Sequence, residues 1–489
     1  MNRMGGGHST VPSIWIEWLA MVLVRPQRAQ LSPQASGRAA FVLGLWTFCT
    51  VAAGQTPADP GPGEIGDAPP GTLDPADEWG DEPSPAALLP SEAHLTRLET
   101  QIQFLDLIRS QQFEEALPLA KAMVELAEEE FGSPSEEVAV ALNNQAIVER
   151  NLELYAESNA AFLASIDMFR EVEGPFTDSI IAPLVALGAN YHAVGDYPQA
   201  LGLFQEARTV NRRSFGLLNP DQIDIVYHIS ATLSSMQRYE EAHTQEDEAL
   251  RLMERVYGSD TMELLPYLYH YADWLVNAFQ FEPGRVQYVR AMDIIRAQEG
   301  PDSPTLIKPL REIGNSYRVQ KLAEGRGISA LKRALEIAEL QPETEKLEVA
   351  RVLRDIGDWY TAFSRIGATG DEYHRAWELL GDVENGESIR KDWFAEPDYV
   401  LREYPSTRGL AQASDPGVSE GFVRVVFDVD EEGKPLNVNV LESNPPGFKD
   451  ETMTRAIRRS RFRPRVVDGV TTYSTGLIRN FTFHYNDEE

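Results

Sequence analysis

One spacing constrains this chain more than any motif. Phe113, Tyr155, Tyr197, Tyr239 and Phe281 stand 42 residues apart, and so do Gly132, Gly174, Gly216, Gly258 and Gly300. A third column is small: Ala146, Gly188, Ser230, Ala272 and Gly314. A fixed period of this length means stacked supersecondary units, each too small to bury its apolar face alone. After the aromatic residue, stretches such as "YPQALGLFQEARTV" and "YEEAHTQEDEALRL" repeat apolar residues at i, i+3, i+4 and i+7, which is one face of a helix. The small column predicts an earlier helix that a neighbour approaches closely. The glycine column predicts the stop of the later helix. Pro134, Pro175, Pro220 and Pro304 follow, where a helix does not continue. Each unit is therefore expected to be two antiparallel helices.

A small residue, an aromatic nine later and usually Ala twelve later resembles the tetratricopeptide repeat. Tyr191 and Tyr317, Phe162 and Phe204, and Ala207, Ala249 and Ala291 fall on further columns of that pattern. The 42-residue length is similar to the kinesin light chain variety. "GISALKRALEIAEL" keeps Ala330 and Ala334 but not the register, and Gly357 with Ala376 marks a last copy. Six or seven units are expected over residues 92–383. The resemblance implies an α-helical solenoid whose concave groove holds a protein partner.

The period then changes. In "GFVRVVFDVD", Val423, Val425, Phe427 and Val429 alternate with Phe422, Arg424, Val426 and Asp428, the pattern of a half-buried strand. "DEEG" (430–433) predicts a tight turn with Gly433 at positive φ. "PLNVNVLES" returns as a strand, "FKDETMTRAIRRSRF" is helical with Met453, Ala456, Ile457 and Ser460 on one stripe, and "STGLIRNFTFHY" is a closing strand. Together they form a small α+β unit. Six arginines crowd its helix and exit: Arg455, Arg458, Arg459, Arg461, Arg463 and Arg465. The first three fall opposite the apolar stripe and are expected as its wet face. A nucleic-acid reading fails, because the run lacks aromatic stacking platforms and the chain carries a net charge of -32.

"EYP", "EGFVRVVFDVDEEGKP", "VNVLES", "AIRRSRFRP", "DG" and "FTF", in that order, resemble the C-terminal domain of the TonB energy-transducer family over residues 400–487. Ser460 stands where that family often has tryptophan. The resemblance implies a domain contacting an outer-membrane TonB-dependent receptor or peptidoglycan. It further implies that a receptor segment adds as a strand to the edge Gly476–Tyr485, near Leu477, Arg479 and Phe481.

The remaining segments set the context. Arg25, Arg28 and Arg38 precede the apolar stretch Ala39–Gly54, with Val51-Ala52-Ala53 as a cleavage site and Met21 as an alternative start. Residues 1–54 are thus expected to be a signal peptide or signal anchor for export to a bacterial periplasm. Cys49, the only cysteine, falls inside it, so a cleaved chain has no disulfide and no cysteine-ligated zinc. Residues 55–91 are Pro-, Gly- and acid-rich, as in a disordered linker. Residues 384–399 are expected to be a second linker that lets the two domains move.

No sequence pattern for catalysis or a cofactor stands out. "DVDEEGKPLNVN" (428–439) begins like a calcium loop but ends in Asn439 rather than a bidentate glutamate. His228 and His270 share one repeat column and have no evident third metal ligand. The expectation is a non-enzymatic periplasmic interaction scaffold without metal or cofactor. The competing expectation is a membrane-anchored TonB-type transducer, which needs an uncleaved N-terminal anchor. An enzyme in the groove is a third reading, and the sequence lacks the acid/base constellation it requires.

Overall fold

Every aromatic of the 42-residue column is the first residue of a helix in the computed structural model. The structure describes residues 92–323, 325–340, 345–363, 369–411 and 417–486. The expected signal (1–54) and acidic linker (55–91) lie outside the described residues.

Two units divide after Glu130. The first holds α1 (Glu92–Arg109) and most of α2 (Phe113–Phe131). Here Glu130 Oε1 and Oε2 meet His94 Nδ1 at 2.6 Å and Arg97 Nε at 2.7 Å.

The second unit continues as antiparallel helix pairs. They are α3 (Glu136–Asn151) with α4 (Tyr155–Glu173), α5 (Ile181–Ala193) with α6 (Tyr197–Phe215), and α7 (Ile223–Ser235) with α8 (Tyr239–Tyr257). Next come α9 (Leu265–Asn277) with α10 (Phe281–Glu299), α11 (Ile307–Val319) with α12 (Gly325–Leu340), and α13 (Lys346–Ala362) with α14 (Thr369–Leu380).

The columns have local causes. Gly174, Gly216, Gly258 and Gly300 end their helices at φ between +87° and +104° with extended ψ, a region that is essentially glycine's own and costs a side chain about 1–3 kcal/mol. Ala146, Ser230 and Ala272 are fully buried where the paired helices cross. A further 42-residue column escaped the sequence reading. Gln111, Glu153, Gly195, Gln237, Phe279 and Lys321, in the turns between paired helices, all take positive φ. Only one of them is glycine, so residue type did not mark the position.

Successive second helices are laced at their surface. Arg170–Glu206, Arg212–Glu248 and Arg290–Glu254 are ion pairs between neighbouring units. Each adds at most about 1 kcal/mol. The core supplies the stability, with Phe162, Phe204, Leu187, Leu268, Tyr288 and Ile295 almost wholly removed from water.

Residues 384–399 differ from the expected linker. They contain α15 (Gly386–Phe394) and lead into β1 (Asp398–Leu401). The reason is burial: Phe394 is fully enclosed and packs edge-on to Tyr373 of α14. The C-terminal domain follows as β2 (Val418–Val429), β3 (Pro435–Asn444), α16 (Asp450–Arg459), β4 (Arg461–Arg463), β5 (Arg465–Val467), β6 (Val470–Thr472) and β7 (Ser474–Asn486). A three-stranded antiparallel sheet has the order β3-β2-β7. β1 pairs with β4, and β5 with β6.

This domain is bolted to the last helix pair. Arg463 of β4 donates from Nε and Nη2 to both oxygens of Asp358 in α13, at 2.8 and 2.7 Å, and from Nη1 to the Trp393 carbonyl at 3.0 Å. Tyr373 adds a donor to Asp358 at 2.9 Å. Gly433 (φ +80°) lies so close that a Cβ there would sit 2.6 Å from Thr361 of α13 and 2.0 Å from the Phe462 carbonyl. His374 Nδ1 lies 3.1 Å from the Gly469 carbonyl oxygen. Arg318 donates to the Val400 carbonyl, and Lys321 pairs with Glu403.

Candidate functional site

The sheet buries one face. Val423, Val425, Phe427 and Val429 of β2 meet Val438, Phe462, Phe483 and the Met453 and Ile457 stripe of α16. Burying each large side chain stabilises by about 1.5–3 kcal/mol. The opposite side of α16 carries Arg455, Arg458 and Arg459, all exposed, as the stripe required.

A three-stranded sheet has two edges, and an exposed edge offers unpaired backbone donors and acceptors to another strand. The β3 edge is irregular. Its register against β2 shifts twice, Pro435 opens it, Asn437 sits at φ +51°, and the Val438 carbonyl accepts from Arg458 at 3.1 Å. Bulges, proline and such caps blunt an edge. The β7 edge is regular, with an unbroken register against β2 from Leu477↔Phe427 to Asn486↔Val418.

The three residues predicted at that edge share one face. Leu477, Arg479 and Phe481 are the partners of Phe427, Val425 and Val423, so they lie on the helix-facing side and are half-buried. The outward backbone belongs to their neighbours. His484 accepts from Ala411 on the side away from β2, at 2.9 Å. Strand alternation therefore turns Ile478, Asn480 and Thr482 the same way. These three are exposed and were missed, because side-chain type says little about where backbone groups point. Arg479 does not wait open at the edge. Its Nη1 donates to the Ile478 carbonyl at 3.1 Å and its Nη2 to the Pro397 carbonyl at 3.2 Å.

Residues 417–485 match the family model described as Gram-negative bacterial TonB protein C-terminal, and residues 137–213 and 179–255 match the tetratricopeptide repeat model. The chain thus carries tetratricopeptide repeats over residues 137–255 and a TonB-type C-terminal domain over residues 417–485. Repeats of this type mediate protein–protein interaction, and a TonB-type domain implies an envelope-related function.

Among solved structures, BtubC (BKLC) from P. vanneervenii is 15% identical, with 47% of this chain and 93% of that one covered and a TM-score of 0.35. The TPR-like repeats of a Podosopora anserina protein described as a kinesin light chain are 11% identical. The match covers 42% and 97% of the two chains at a TM-score of 0.34. The C-terminal part of a TPR repeat-containing protein from Cytophaga hutchinsonii is 13% identical, covering 60% and 98% at 0.36. No curated protein matches the chain.

Other sequence candidates in this TonB-type repeat protein have structural partners. His228 stacks on Phe204 at 4.9 Å, and burial pushes its imidazole down to about 4. His270 stacks on Tyr227 and lies 3.1 Å from Glu246. Among the described residues no group of three or more His, Cys, Asp or Glu is placed to hold a metal ion. In the calcium-like stretch, Asp430 accepts from the Glu432 and Lys434 amides and closes the hairpin. Asp428 accepts from Asn437, Tyr473 and the Gly476 amide, and the Asn437 bond, aided by the Gly476 amide, holds its carboxyl below the usual range. Ser460, in place of the family's tryptophan, is fully buried. Its hydroxyl donates to the Ala456 carbonyl and accepts from the Glu403 amide at 3.0 Å, tying α16 to the segment after β1.

Proposed function

We propose that this protein is an exported, non-enzymatic scaffold of the periplasm. Its repeat array holds a protein partner on the groove lined by the first helix of each pair. Its TonB-type domain accepts an extended segment of an outer-membrane receptor as a fourth strand along β7. The observation that carries the reading is the regular β7 edge, with Asn480 and Thr482 exposed beside a β3 edge that is bulged and capped. Backbone pairing supplies the affinity, and the half-buried Leu477, Arg479 and Phe481 shape the helix-facing side of the incoming strand. Peptidoglycan is the alternative target of the same domain.

A photo-cross-linking residue at Asn480 of the full-length protein tests this in cells. The reading expects a covalent adduct with an outer-membrane receptor that the same label at Asn439, on β3, does not give. Labelling of cell-wall material alone, or no adduct from position 480, would contradict it.

A further inference from the structure

The available edge is shorter than β7 itself, and the chain's own residues shorten it from both ends. At the far end, Leu410 packs against the core beneath the sheet. Lys449 donates to the Arg408 carbonyl, and the Ala411 amide donates to the His484 carbonyl at 2.9 Å. At the near end, the Arg479 guanidinium covers the Ile478 carbonyl. Among the described residues, Asn480 and Thr482 keep all their outward backbone groups unpaired between these two covers. Two residues offer one donor and one acceptor each. A strand seated on these two residues alone gains at most four backbone hydrogen bonds.

We propose that Arg408–Ala411 is a built-in competitor for the strand partner. This rests on the strand-addition reading. An extended segment pairing with Asn480 and Thr482 alone binds the resting edge. One that pairs onward to His484 must first displace Ala411, and one that pairs back to Ile478 must turn Arg479 away. The competitor also has a resting role, since a covered edge does not template pairing with a second copy. The fitting partner is an extended protein segment long enough to make more pairs than the two it must break. Shorter segments bind weakly without moving the competitor.

The test uses full-length protein and nested peptides of five and nine residues from the N-terminal segment of an outer-membrane receptor of the same bacterium. Leu410→Asp releases the competitor by making its anchor charged, and Ala411→Pro does so by removing the amide that reaches His484. Both variants are expected to tighten the nine-residue peptide about tenfold and leave the five-residue peptide within about twofold, since the competent state no longer has to be opened. Binding of the longer peptide to the unaltered protein is expected to expose the Ala411 amide to hydrogen exchange. Equal tightening of both peptides, or an Ala411 amide that stays protected with the longer peptide bound, would overturn the competitor alone. Failure of both peptides on all three proteins would overturn strand addition itself.

Discussion

Asp358 and Arg463 show what one residue pair contributes when both partners leave water. Burial alone would raise the Asp358 carboxyl. The Arg463 charge and its two hydrogen bonds, with Arg318 and Arg354 nearby, instead bring it down to about 2. A carboxyl whose folded value is depressed adds stability that is full above its unfolded value near 4 and is lost as pH falls through the folded value. Acid unfolding is therefore expected to steepen between about pH 4 and pH 2, and Asp358→Asn to flatten that arm. At neutral pH, Asp358→Asn leaves a buried guanidinium without its counter-charge. A loss of about 3–5 kcal/mol in urea unfolding is expected, with much of it recovered in the Asp358→Leu/Arg463→Met double variant. The sequence did not announce this pair. Arg463 sits in a run of six arginines: Arg465 is exposed, and so are the three on α16. The helix register that assigns those three ends at Arg459, and nothing in the chain points from Arg463 to an aspartate 105 residues earlier.

Among elements, the helix pairs were legible because a period records itself in every copy, and the sheet because alternation in 422–429 allows one inward face. The closing strand was legible as a strand, but its outward backbone parity was not. That parity follows from pairing with β2 and from the bridge between Ala411 and His484. The segment 384–399 was hidden for a related reason. A nine-residue helix held by one buried phenylalanine has too few turns to show a period. Two glycine substitutions separate local from tertiary causes. Gly216→Ala meets no atom within 4 Å and is expected to cost only the backbone term, about 1–3 kcal/mol. Gly433→Ala adds a clash with the Phe462 carbonyl, and thermal unfolding should show a clearly larger loss. Asn480→Pro removes an outward amide at a sheet edge, where proline is tolerated. It is expected to leave the melting temperature within a few degrees while weakening receptor-segment binding at least about tenfold in a titration.

At the scale of the molecule, the repeat array and the sheet of the second unit are one body. β1 leaves α15 and pairs with β4, while Arg463, Gly433, His374 and Arg318 join the domain to α11, α13 and α14. A fragment starting at Pro405 would lack β1 and strand Arg463 without Asp358, so functional work needs the longer chain. Under the proposed function, this arrangement presents the β7 edge at a fixed angle to what the helices hold. A hinge would let two partners wander, whereas a buried, doubly hydrogen-bonded ion pair does not. The most direct measurement is the distribution of distances between spin labels at the exposed Thr209 of α6 and Thr475 of β7, with Cys49, the single native cysteine, replaced. A single narrow distribution that broadens in Asp358→Ala is the predicted result. A broad or two-peaked distribution in the unaltered protein would contradict the account.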